Sequence, residues 1–179
     1  MKMSKKLWAL IMPMLAMMFA FTFAACGDDN NEPDQPDQPT EDAVVAYEVT
    51  YAANIGDFWT TFYDLEVTVN NAEGQEVTSA VSDSYNGTVT IPVEKAPKEL
   101  DFEIDAKVKK NLPSYTDDQR FDVGHGYTWT ISEVRKSGEK SVVHTASNSS
   151  TITTSGSKVA SYLENHPERE LVDLSYTLK

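Results

Sequence analysis

Leu100-Asp101-Phe102-Glu103-Ile104-Asp105-Ala106-Lys107-Val108 alternates without a break between apolar and charged residues. Successive side chains of a strand point to opposite faces, so Leu100, Phe102, Ile104, Ala106 and Val108 share one side and the charges share the other. One face is buried and one lies in water, which is the antiparallel pattern.

The same period of two recurs on both sides of this stretch. Val45, Tyr47, Val49 and Tyr51 alternate with Ala46, Glu48 and Thr50. Tyr63, Leu65, Val67 and Val69 alternate with polar residues up to Asn70, where Asn71-Ala72-Glu73-Gly74 reads as a turn and Gln75 to Val81 as the returning strand of a hairpin. Val89, Ile91 and Val93 form a further apolar line, and Pro92 marks a sheet edge or strand end. Phe121, Val123, Tyr127, Trp129 and Ile131 continue the series, Ser137-Gly138 is a turn, and Ser141 to Thr145 returns. Ser147 to Gly156 is rich in Ser and Thr and reads as a loop or an exposed edge strand.

One helix is expected after Ser157, which would cap it, with Val159, Tyr162 and Leu163 on one face and His166-Pro167 at its end. A last strand carries Val172, Leu174, Tyr176 and Leu178. The expectation is an all-β chain folded as an antiparallel β-sandwich, immunoglobulin-like, with one short helix near the C-terminus. A lipocalin-like barrel is the alternative, since a late helix followed by a final strand suits that fold too.

Before this domain the composition changes twice. Lys2, Lys5 and Lys6 precede an uncharged run of 19 residues, Leu7 to Ala25, which ends in small residues and then Cys26, the single cysteine of the chain. That order is a charged region, an apolar region and a cleavage site of an export signal. An uncleaved membrane span would use the same run, which is about long enough for ~30 Å of hydrocarbon; the lone cysteine where the signal should end favours cleavage.

Residues 1–25 hold three lysines and no acid, so the net charge of −13 for the whole chain becomes −16 without them. Residues 26–42 hold seven acids and no base, which leaves −9 on residues 43–179. Asn30 to Asp42, with three prolines and no aliphatic or aromatic residue, cannot bury enough surface to fold and reads as an extended tether. The organisation is therefore a signal peptide at 1–25, an acidic Pro-rich tether at 26–42 and a sandwich at 43–179, large enough for its own core without disulfides. The acidity argues against a nucleic-acid partner.

Phe23-Ala24-Ala25-Cys26 resembles the lipobox of bacterial lipoproteins, with Phe23 where Leu is usual. The resemblance implies cleavage before Cys26 by signal peptidase II and a diacylglycerol on its thiol. Asp28, Asp29 and Asn30 after the cysteine are similar to the acidic export signal of Bacteroidetes surface lipoproteins, and residues 63–110 resemble loosely the sandwich domains of that group. The resemblance implies an outer-membrane lipoprotein exposed at the cell surface.

Signals for catalysis are poor. His125, His144 and His166 have no metal-ligand spacing. Ser155 to Lys158 matches Ser-x-x-Lys, but Ser137 to Lys140 does so as well, and the companion motifs of penicillin-binding proteins are missing. No catalytic residue, metal or cofactor is expected. Asp28, Asn30 and Glu32 alternate like calcium ligands, but Pro33 stands where such a loop needs glycine.

A ligand site, if present, is expected at Phe58 and Trp59 with Asp57, in a loop between strands, joined by Tyr115 and Asp117 of the loop 111–119. The competing reading of the Phe-Trp pair is a plug for the end of the core. The expected function is a non-catalytic binding module for a glycan or protein, held to the membrane through Cys26. The alternative is a structural subunit of an envelope or fimbria-like assembly.

Overall fold

The computed structural model describes residues 42–179; Cys26, the signal and most of the tether lie outside the described residues. Ten strands follow in chain order: β1 (Val44–Ile55), β2 (Tyr63–Asn70), β3 (Glu76–Val81), β4 (Ser84–Pro92), β5 (Glu99–Val108), β6 (Arg120–Asp122), β7 (His125–Arg135), β8 (Lys140–Ser149), β9 (Thr153–Ser155) and β10 (Glu168–Thr177). Two short helices, α1 (Asp57–Phe62) and α2 (Val159–Asn165), complete the set.

All pairings are antiparallel. One four-stranded sheet has the order β4-β1-β7-β8, the second has β10-β5-β2-β3, and β6 and β9 form a small separate ribbon. The sheets do not close on each other, so the fold is a sandwich and not the barrel.

The stretch that decided the fold is β5, whose Leu100, Phe102, Ile104 and Ala106 are all buried. From the other sheet Tyr51 of β1 meets Phe102 edge-on, with ring centres 5.3 Å apart. Trp129 and Ile131 of β7 are likewise fully buried, while Tyr127, near the start of β7, and Leu174 and Tyr176, on the edge strand β10, are only partly covered. On one flank His144 of β8 stacks on Tyr176 of β10 at 4.6 Å, joining an edge of each sheet.

The two expected hairpins are present. Between β2 and β3, the Asn71 side chain accepts from the N–H groups of Glu73 and Gln75, and Gly74 takes φ +72° beside the Lys95 carbonyl, which leaves no room for a Cβ. Gly138 takes φ +86° between β7 and β8. β4 is a sheet edge that ends on Pro92, where a missing N–H does least harm.

Three local expectations need correction. Val45 does not join the buried line of β1: the register shifts between Val44 and Ala46, and Val45 turns to solvent. Helix α1 was not foreseen, because six residues are too few to display a helical period. Ser157 does not cap α2; it lies in a 3₁₀ turn, Gly156–Lys158, and its hydroxyl bonds that of Ser155.

Candidate functional site

Of the residues singled out for a ligand, Phe58 and Trp59 lie in the core, Tyr115 is half-buried beside it, and Asp57 and Asp117 stay at the surface. β1 runs on to Ile55, Gly56 opens α1, and a Cβ on Gly56 would strike the carbonyls of Asp122 and Gly124. That close approach fixes α1 across one end of the sandwich. Phe58 is 0% exposed and Trp59 4%, and the Trp59 Nε1–H donates to the Val123 carbonyl at 2.9 Å.

Around them gather Phe62, Tyr63, Phe121 and Tyr162, with ring centres 5.0–6.4 Å apart in mostly edge-on or tilted contacts. Tyr115 joins this cluster through Phe62 at 5.4 Å. Asp57 accepts the backbone N–H of Asp122 at 2.6 Å, and the Thr60 hydroxyl donates to the Asp57 carbonyl. Asp117 is exposed, and its carbonyl accepts from the N–H of Ser157.

Phe58 and Trp59 therefore plug the core and offer no ring face to a ligand. The physical reason is size: two large aromatics beside an open sandwich end bury more apolar surface inward than any loop could hold outward. His166 behaves as a cap, its Nδ1 3.0 Å from the Tyr162 carbonyl and its ring stacked on Tyr162. Tyr63 Oη donates to the His166 carbonyl, and burial raises the Tyr63 phenol to about 12.

What remains open to solvent is the outer face of each sheet, and the two faces differ in kind. The outer face of β10-β5-β2-β3 is acidic. Asp105 lies opposite Glu66 on one side and Glu170 on the other, and Glu103 lies opposite Asp173. Partial burial, then neighbouring carboxylates, raise Asp101, Glu103 and Asp105 above the usual carboxylate range.

A groove of about 780 Å³ crosses this face between Asp64, Glu66, Asp105, Glu168 and Glu170, with Lys107 and Arg169 among them. Lys107 is held by Glu168 at 2.6 Å. Among the described residues no three His, Cys, Asp or Glu side chains converge as metal ligands.

The outer face of β4-β1-β7-β8 carries almost no charge. The register sets Thr88, Thr50, Thr130 and Thr145 side by side, one from each strand. The next row is Asn86, Ala52, Thr128 and Ser147, and the one beyond it Ser84, Asn54, Gly126 and Ser149. The hydroxyls of Thr50 and Thr88 lie 3.3 Å apart. Glu48 and Lys140 stand at one border and neutralise each other at 2.7 Å.

Val142 is a large exposed apolar residue on this face. No sequence signal marked it, because each strand's polar line looks like an ordinary solvated face; only strand order assembles the rows. Comparison with family models, curated proteins and solved structures yields no match to this chain.

Proposed function

We propose that this protein is a lipid-anchored, surface-displayed β-sandwich that acts as a non-catalytic binding module. The observation that carries the reading is the order of parts: a sequence patterned like an export signal, the lone Cys26, an acidic Pro-rich stretch, then a sandwich whose two outer sheet faces are covered by no other described element. A tether rich in proline and acids holds a domain away from a negatively charged surface, and open faces suit recognition from outside. Among the described residues no helix is long and apolar enough to cross a membrane. Cys26 in its lipobox-like setting is the anchor of this reading, and the outer membrane its location.

The test is Cys26→Ala. Loss of palmitate labelling and of membrane retention, with the wild-type domain cleaved by protease added to intact cells, supports the reading. Undiminished labelling of the variant, or a wild-type domain that resists added protease until the envelope is opened, contradicts it.

A second reading, an assembly subunit, draws on the strand edges: β3, β4, β8 and β10 each have one side without a partner strand among the described residues. It predicts a stable oligomer by light scattering, where the binding-module reading predicts a monomer.

A further inference from the structure

We propose that the outer face of the β4-β1-β7-β8 sheet binds a neutral polysaccharide across its threonine row. This rests on the display reading above and names the surface and the ligand class. Neighbouring strands lie about 4.8 Å apart and alternate residues about 6.8 Å apart along a strand. Thr88, Thr50, Thr130 and Thr145 thus form a line of hydroxyls about 14 Å long. Asn86, Thr128 and Ser147 run beside it.

Every one of these groups both donates and accepts hydrogen bonds, as sugar hydroxyls do. The face has no net charge, since its border pair Glu48–Lys140 is closed on itself. An anionic polymer would find no free cation here and would be repelled by the domain as a whole, net −9 over residues 43–179. Protein interfaces rely on buried Trp, Tyr, Arg or Met anchors. This face has none; its aromatic neighbours, Tyr51 and Trp129, point into the core. An uncharged, flat, hydroxyl-bearing partner is the chemistry that complements it.

Without aromatic rings to stack on, each sugar is held weakly. Binding accumulates over many contacts, direct or through water, along one chain. Retention therefore grows with chain length until the chain spans the hydroxyl line of about 14 Å.

The experiment is affinity electrophoresis of the full-length chain in detergent, in gels containing cellulose derivatives, mannan, starch or galactan, with pectate and heparin as anionic probes. The expected result is retardation by at least one neutral polymer and by neither anionic one. Thr50→Val with Thr130→Val keeps shape and strand preference but removes the two central hydroxyls, and should weaken retention at least tenfold. Glu103→Gln, on the opposite face, should leave it unchanged.

Wild-type protein that passes through every neutral gel overturns this inference, while the display reading stands or falls separately with Cys26→Ala. Retention that survives the double Val substitution overturns the threonine face alone. Should the double variant fold poorly, Ser147→Lys at the exposed edge strand provides the same comparison, and equal retention of that variant also counts against the proposal.

Discussion

Trp59 lies in the middle of the end cluster, 5.1 Å from Tyr63 and bonded through Nε1 to the Val123 carbonyl. Trp59→Ala should cost about 3–5 kcal/mol, the usual loss for a large buried aromatic. Trp59→Phe keeps most of the apolar volume but leaves the Val123 carbonyl unpaired, and should cost less. Denaturant midpoints of the two variants check both figures. Phe102, fully buried opposite Tyr51, should behave like Trp59: Phe102→Ala loses about 3–5 kcal/mol, read in the same way. Both variants should keep any carbohydrate retention at temperatures where they remain folded, because neither side chain reaches a sheet surface.

On the scale of elements, the acidic face of β5 has a definite pH dependence. Asp105 is held above the usual aspartate range by partial burial and then by Glu66. The folded state therefore binds its proton more tightly than the unfolded chain does. Stability from this group rises as pH falls through that raised range and is lost as pH climbs above it. Asp105→Asn removes like charges that face each other across strands, and should stabilise by about 0.2–1 kcal/mol at neutral pH. The gain should fade in acid, where wild-type Asp105 is protonated. Urea unfolding near pH 7 and near pH 4 tests the sign, and a variant advantage that grows in acid contradicts it.

Much of this level was legible in the chain. The alternation of residues 100–108, the two hairpin turns and Pro92 at an edge all act through neighbours two to four residues apart, so a single segment reveals them. Helix α1 did not show, since its existence depends on Gly56 fitting against Asp122 and Gly124, far along the sequence. The site failed for a similar reason. Phe58 and Trp59 pack together and Tyr115 reaches their cluster only through Phe62 and Phe121, but whether a ring at a strand end turns inward depends on the cavity it finds. The threonine rows lie across four strands drawn from separate parts of the chain, and no local pattern predicts such an order.

On the scale of the whole molecule, the two outer faces divide the labour of the surface. One is lined with carboxylates and the other is nearly neutral. Residues 26–42 add seven more charges of the same sign. All of this has a purpose only if the chain is held at the membrane by its first mature residue. Intact-mass measurement of the protein purified from membranes tests that claim most directly. The account predicts a mature chain that begins at Cys26 and carries the added mass of a diacylglycerol on the thiol; a chain that still begins at Met1, or an unmodified Cys26, contradicts it.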